Sequence, residues 1–391
     1  MNKLQITRTN GNIPKSLPGE DHISGFLAYV GTLPSGFTAE APIQAVSTIE
    51  TAEDLGITAE ASSWEIKVIY HQLGEIFRLN PGISLYVGLF SKPEEESGYT
   101  FAEIKQLQNY AGGRIRQVGV YCGDNLLKKE DITTLQGIAD TLEAQDMPLS
   151  ILYAPKVADI TNLPTDVAGP NKKNVSVVIA QAGNGKAADL FADTANTKKN
   201  SVSAIGVFLG ILSSASVQES IAWVKRFPTG IDLPAFADGK LYRDIDKAVI
   251  ESLDTARYLF FTTYSGYSGS YINDSHTMDA AISDYAYIES VRTMDKAVRG
   301  IRTYLLPELG GTLYIDQETG KLQYYTVTHL TNVANQALED MERAGELSGY
   351  AVEINPDQNV LSTSTVEIII KQVPVGIMRK INVKIGFAEK V

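Results

Sequence analysis

A glycine-rich turn, Gly183-Asn184-Gly185-Lys186, follows an apolar strand-like run and is the one place where phosphate chemistry suggests itself. A phosphate loop needs an earlier glycine so that backbone N–H groups can close on the anion, and a Ser or Thr after the lysine to hold magnesium. Those two positions are Ala180 and Ala187, so the segment reads as a turn. Gly266-Tyr267-Ser268-Gly269-Ser270 imitates a nucleophile elbow, but the closing glycine that permits the strained turn is Ser270. His22, His71, His276 and His329 are scattered; His71 and Glu75 could share a helix face, yet a metal site needs at least a third ligand. Cys122 has no nearby His or basic residue to lower its pKa and reads as a small buried hydrophobe. Asn273, Asp274, Asp279 and Asp284 lack calcium-loop spacing and suit turn and helix capping, with Ser283 or Asp284 as an N-cap. No catalytic, metal-binding or cofactor-binding residue is expected, and the chain does not read as an enzyme.

The elements that would have to position such residues are nevertheless clear in the first half. Ile23 to Val30 is a short apolar entry. Ser84–Phe90, Gln117–Cys122, Leu149–Tyr153 and Val175–Ala180 read as strands, alternating with helices at Phe101–Tyr110 and Glu130–Ala144. That alternation argues for βαβ units and a largely parallel sheet. Beyond Ala182 the pattern loosens: Ser216–Phe227 reads as an amphipathic helix, Arg257–Thr263 as a strand, and Ser283–Leu305 as a long helix ended by Pro307. Thr312–Ile315 and Lys321–Tyr325 flank Asp316–Gly320 as a hairpin. Val327–Leu347 is a second long helix with Glu339, Asp340, Glu342, Arg343 and Glu346 largely off its apolar stripe, and Thr365–Lys371 is a strand. The fold class is α/β, with an α+β C-terminal part.

The two ends differ from the body between them. Ile381, Val383, Ile385 and Phe387 alternate with Lys380, Asn382, Lys384 and Gly386, the period of a half-buried strand. Leu4 and Ile6, beside Lys3 and Arg8, repeat that pattern at the other end, before a Gly- and Pro-rich linker. Residues 1–19 and 376–391 each carry a net charge of +3, which leaves −18 on the rest of a chain whose total is −12. Basic arms on an acidic body are steered toward neighbouring copies of that body. Unpaired strand edges are templates for another chain. Each arm could equally complete a sheet in its own subunit, and periodicity alone leaves both options open.

Composition sets outer limits. A chain of 391 residues has room for two or three domains. With 44% hydrophobic and 20% charged residues it falls among ordinary globular proteins rather than disordered ones. One cysteine excludes an intramolecular disulfide and is compatible with a reducing compartment. The N-terminus lacks a signal-peptide run, and the longest apolar stretch, Ala204–Leu212, is too short to span a bilayer, so synthesis in the cytoplasm and no membrane insertion are expected. A pI near 4.9 disfavours non-specific nucleic-acid binding.

An ordered set of segments in the second half resembles the contractile tail sheath proteins of Mu-like phages and phage-derived contractile injection systems. The matching residues are Tyr271-Ile272-Asn273-Asp274, Ser283-Asp284-Tyr285, and Ile288-Glu289 with Arg292, Asp295, Lys296, Ala297 and Arg299. They continue with Leu338, Met341, Ala344 and Gly345, Gln358-Asn359-Val360-Leu361, Val373-Pro374-Val375-Gly376 and Ile381 to Phe387. The resemblance implies a multidomain subunit: an N-terminal arm and linker (1–21), peripheral α/β domain or domains (22–255), an inner, tube-proximal domain (256–374) and a C-terminal arm strand (375–391). It implies hexameric rings stacked as a helical sheath, with an inner tail tube, baseplate and terminator proteins as partners. Assembly would occur in the bacterial host cytoplasm, followed by residence in a virion tail or injection particle. The arm residues would be Leu4, Ile6, Arg8, Lys380, Ile381, Val383, Lys384, Ile385 and Phe387. The helix bearing Glu339, Asp340, Glu342, Arg343 and Glu346 is the positional candidate for tube contact, against the plainer reading of a solvated acidic face. The competing classes are another self-assembling tube or shell protein, and an α/β enzyme with an unrecognised site.

Overall fold

The computed structural model describes residues 19–94 and 98–387. Strand β1 (Ser24–Val30) is buried along its whole length, the signature of a strand covered on both faces of a parallel sheet. The chain continues through β2 (Ile43–Val46), α1 (Ile49–Asp54), α2 (Trp64–Leu79), β3 (Leu85–Ser91), α3 (Glu103–Tyr110), β4 (Gln117–Leu126), α4 (Lys129–Glu143), β5 (Ser150–Lys156) and β6 (Val175–Val177). These strands form one six-stranded sheet in the order β2-β3-β1-β4-β5-β6. Every pair is parallel except β2 with β3, so the expected βαβ sheet is present with an antiparallel edge.

Register assigns the helices to the two faces. Gly25 lies opposite Val118, and paired residues of parallel strands share a face. A Cβ on Gly25 would come 2.8 Å from Leu107 of α3, whereas a Cβ on Gly119, pointing the other way, would come 3.3 Å from Ile205 and Leu209. Those two belong to a later helix. After β6 the chain runs through β7 (Ala180–Ala182), α5 (Gly185–Ala192) and α6 (Ile205–Ser214), then β8 (Pro234–Phe236), α7 (Lys247–Thr255), β9 (Phe261–Thr262) and β10 (Tyr271–Ile272). Helix α6 is the longest apolar stretch of the sequence and is buried from Ile205 to Ser213, as a helix apolar all round must be. It crosses α2 closely enough that the Gly206 N–H donates to the buried Gln72 Oε1 at 2.8 Å. The core runs continuously from Ile23 to Ile288. The division expected between residues 255 and 256 falls inside it, because Tyr258 to Phe261 pack there.

The remaining elements are α8 (Ile288–Leu305), α9 (Tyr324–Arg343), β11 (Leu347–Glu353), α10 (Val360–Thr363) and β12 (Ile369–Pro374). Ala297, Leu338, Met341 and Leu347 form a small core between the two long helices and the antiparallel β11–β12 ribbon. A second small core gathers Leu322, Leu330, Ile354 and Val360.

Three local expectations change. Ser216–Phe227 is a series of turns rather than a helix, because Glu219 Oε2 accepts from the Ser216 N–H and the Ser220 hydroxyl from the Ala222 N–H, closing side-chain turns in place of helical bonds. The hairpin around Asp316–Gly320 shrinks to one bridge between Ile315 and Leu322, since α9 begins already at Tyr324. Ser283 caps a turn rather than α8: its hydroxyl accepts from the Tyr285 N–H, while α8 starts after Tyr287.

The α2–α6 crossing makes a sharp prediction. A Cβ on Gly206 would sit 2.3 Å from the Gln72 carbonyl oxygen, while Gly137, on the exposed side of α4, has open space. Urea denaturation should show Gly206→Ala losing about 1–3 kcal/mol through overpacking, and Gly137→Ala gaining about 0.5–1 kcal/mol from helix propensity.

Candidate functional site

The residues that imitate catalytic motifs are committed to structure. Gly183, just after β7, donates its N–H to the Leu233 carbonyl at 2.7 Å, and a Cβ there would meet the Leu241 side chain at 2.5 Å. Gly185 opens α5 at φ +63°, a left-handed conformation that favours glycine. The Ser270 hydroxyl donates to the Ile231 carbonyl at 2.8 Å inside the loop that joins β9 to β10. Cys122 is buried, and burial pushes its thiol well above the usual range. Among the described residues no cluster of three or more His, Cys, Asp or Glu could hold a metal, and no helix is long and apolar enough to cross a membrane. A cleft of about 670 Å³ opens at the carboxyl edge of the parallel sheet. At its centre Lys92 pairs with both Glu65 and Asp124, and Tyr99 donates to Asp124 at 2.9 Å.

The densest charge chemistry lies instead on α8. Glu289, Arg292, Lys296 and Arg299 recur at three- and four-residue steps, which places them along one face. Lys296 Nζ lies 2.6 Å from Asp21 Oδ2 and 2.5 Å from Glu346 Oε1, and Arg299 reaches Asp21 Oδ1 at 3.4 Å. Arg292, almost fully buried, donates to the Ala215 carbonyl at 3.1 Å, where α6 ends and its unpaired carbonyls favour a cation. Burial works against the ionised form of Asp21, but Lys296, Arg299 and Arg292 outweigh it and hold the carboxyl below the usual range. Beside Asp21, Glu20 pairs with Arg116 at the start of β4. The root of the N-terminal arm is therefore pinned ionically to α8 and to the sheet.

The root of the C-terminal arm is pinned to the same helix with the charges exchanged. Arg379 donates to Asp274 Oδ1 at 3.1 Å, to the Ser275 hydroxyl at 3.2 Å and to Glu289 of α8. Its guanidinium stacks 3.4 Å from the centroid of the Tyr287 ring, a charge-on-quadrupole contact that a lysine matches poorly. Burial pushes the Glu289 carboxyl up, against the pull of Arg379. Residues 375–379 run along a groove of about 620 Å³ whose far wall includes Gln218, Trp223 and Tyr264.

Past Arg379 the chain has no strand partner among the described residues. Lys380 and Lys384 are exposed, and the apolar positions of the arm are bare, from 68% exposure at Ile381 through Val383 to 96% at Ile385, with Phe387 fully exposed. Leu4, Ile6 and Arg8 lie outside the described residues. The β11–β12 ribbon has two strands, so both outer edges are unpaired among the described residues, and Ile369 and Val373 on its outer side are half exposed.

The five charged residues of the second long helix do not form one outer face. Glu342 and Arg343 are exposed, and Glu339 pairs with Arg343 one turn on. Asp340 accepts from the Tyr304 hydroxyl of α8 at 2.9 Å. Glu346 departs from the expectation outright: it lies beyond the end of α9, buried, as the partner of Lys296. The two-way role of α8 was not foreseen, although Glu289, Arg292, Lys296 and Arg299 at helical spacing were the available signal.

The α/β body, the α8–α9 helix pair and the β11–β12 ribbon together make a fold that has counterparts among solved structures. The chain superposes over 100% of its length on 98% of a chain from the sheath complex of the PVC extracellular contractile injection system in its contracted state, with a TM-score of 0.62 at 12% identity. It covers 99% of itself and 100% of a chain from the anti-feeding prophage baseplate with the same TM-score of 0.62, at 15% identity. In sequence it is 28% identical over 106 residues to the "Putative tail sheath protein" of Haemophilus phage HP1 (strain HP1c1), an alignment spanning 27% of each chain. Residues 1–276 match the DUF2586 N-terminal domain and residues 284–391 the DUF2586 C-terminal domain. The chain belongs to the DUF2586 family. The Asp21–Lys296 and Arg379–Asp274 pairs join residues of the first match to residues of the second, whereas Arg379–Glu289 lies within the second.

The α8 region carries a pH prediction. Burial pushes the Asp295 carboxyl up to about 6, against the pull of Arg299. A raised carboxyl pKa means that the folded state holds the proton more tightly than the unfolded chain, so stability is fully present below about pH 4 and is lost as pH rises through 6. Asp295→Asn should therefore stabilise the protein by roughly 2–3 kcal/mol at pH 8 and by close to nothing at pH 4, read from thermal melts at the two pH values.

Proposed function

We propose that this protein is the structural subunit of a contractile tail sheath. It polymerises as stacked hexameric rings around an inner tube and shortens to drive the tube through a target envelope. The single observation that carries this reading is the bare apolar stripe Ile381–Phe387 on a chain that also presents a two-stranded ribbon with open edges. The full-length fold likeness to sheath-complex and baseplate chains supports it.

A two-stranded ribbon is marginal alone and gains by adding strands. Burying one apolar side chain of the arm stabilises by about 2 kcal/mol, and ordering its backbone costs about 1–2 kcal/mol per residue. A surplus therefore arises once the arm's N–H and C=O groups are also paired, which the edge of a neighbour's ribbon supplies. The two surfaces are different patches of one subunit, so the contact is heterologous; repeated without closure it builds a helix rather than a ring. The basic arms, Lys380 and Lys384 at one end and Arg8 at the other, meet a body of opposite charge. Strand pairing keeps neighbours joined while the compact bodies rotate between two packings, and the extended packing persists as a kinetically trapped state until one ring is released. No nucleotide enters this scheme. Baseplate and terminator proteins would bound the polymer at its two ends, and assembly would take place in the bacterial host cytoplasm before the particle or virion acts.

Tube contact falls to the second long helix in this reading, through Glu339, Glu342 and Arg343. Reversing Glu339 and Glu342 to lysine should reduce sheath assembled on purified tubes at least tenfold; unchanged assembly would remove this helix from the tube interface. Deleting residues 376–391 should leave a folded monomer, with its melt lowered by loss of the Arg379 pairs to Asp274 and Glu289, and no cylinders under negative stain. Cylinders that persist after the deletion would contradict strand exchange, and smooth narrow tubes from the intact chain would favour a different tube protein.

A further inference from the structure

We propose that α8 is a common anchor for both chain ends, gripping the N-terminal arm through its basic positions and the C-terminal arm through its acidic one, so that load on either arm reaches the other through one rigid helix. The inference rests on the strand-exchange reading for its purpose, but its geometry is a property of the single chain.

Three observations carry it. The first is reciprocity. At the N-terminal root the arm supplies the acid, Asp21, and α8 the bases, Arg292, Lys296 and Arg299; at the C-terminal root the arm supplies the base, Arg379, and α8 the acid, Glu289. The second is economy of attachment. Among the described residues of 375–387, the hydrogen bonds to the body come from the Arg379 side chain, so one residue sets where the arm departs. The third is spacing. Glu289 and Lys296 are seven residues apart, about 10 Å along a helix, and Arg299 is about 15 Å from Glu289, so the two grips sit on one unbroken element. Tyr287, just ahead of α8, adds stacking that fixes the Arg379 plane, while Glu346 shares Lys296 and ties the entry to β11 into the same network. Arms held this way are elements in series. A subunit pulled at one end cannot yield there without straining the helix that holds the other.

The test uses the full-length chain with a fluorophore on Gly19→Cys or Val383→Cys; the native Cys122 is buried and does not compete for label. In dilute monomer, Arg379→Gln should at least halve the anisotropy of the label at 383, and Arg379→Lys should restore part of it. Asp21→Asn should do the same for the label at 19. Raising NaCl from 0.05 to 1 M on the otherwise unaltered labelled chain should also loosen the 383 label, because the Arg379–Asp274 pair is partly exposed; this arm needs no variant to fold. In assembled particles, Asp21→Asn and Arg379→Gln should each lower the yield of long cylinders about tenfold, and the double variant should lose no more than the worse single, as grips in series require. Unchanged anisotropy in Arg379→Gln and in high salt would overturn the grip, and multiplicative losses in the double variant would overturn the shared anchor. Failure of strand exchange is read separately, from cylinders that survive deletion of 376–391 while the monomer anisotropies still move as stated.

Discussion

The rest of the structure depends on one ionic stripe. Helix α8 must lie against a body that carries most of the chain's negative charge, and it does so by presenting Arg292, Lys296 and Arg299 to Asp21, Glu346 and the carbonyl end of α6. Ion pairs this deep are dear to desolvate and strongly destabilising to break singly. They tie the α8–α9 pair to the α/β body, and both arm roots leave beside them.

A second constraint follows from size. Among the described residues the C-terminal part has two small cores of four buried residues each, one of them beneath the two-stranded ribbon, against one continuous core in the first part. A unit built this sparely presents edges and apolar side chains that water does not satisfy. In a monomer that would be a liability; on the proposed reading a neighbouring copy would cover them, its approach guided by the opposite charges of body and arms.

The sheet was legible in the sequence because apolar runs such as Leu149–Tyr153 and helix-period segments such as Glu130–Ala144 obey short-range rules: α4 lies within one residue of those bounds, and β5 begins one residue late and runs three further. Ser216–Phe227 was not, since its helical spacing competed with side-chain turns at Glu219 and Ser220 that a periodicity count does not weigh. The apolar side chains that alternate along Ile381–Phe387 are exposed in the structure, where no strand is formed. The grip on Arg379 was not visible: Asp274, Ser275, Tyr287 and Glu289 come together only when the loop before α8 folds back, across about 100 residues of sequence. Glu346 was misjudged for the same reason, its partner Lys296 lying on the other long helix.

The central claim is that the arm beyond Arg379 completes the ribbon of another copy. Assembled particles grown from an equal mixture of isotopically light and heavy chains, cross-linked through lysines and read by mass spectrometry, test it directly. Cross-links between Lys380 or Lys384 and Lys371 of the ribbon should include mixed light–heavy pairs at the statistical half. Cross-links confined to chains of a single isotope would place the arm on its own subunit and contradict the account.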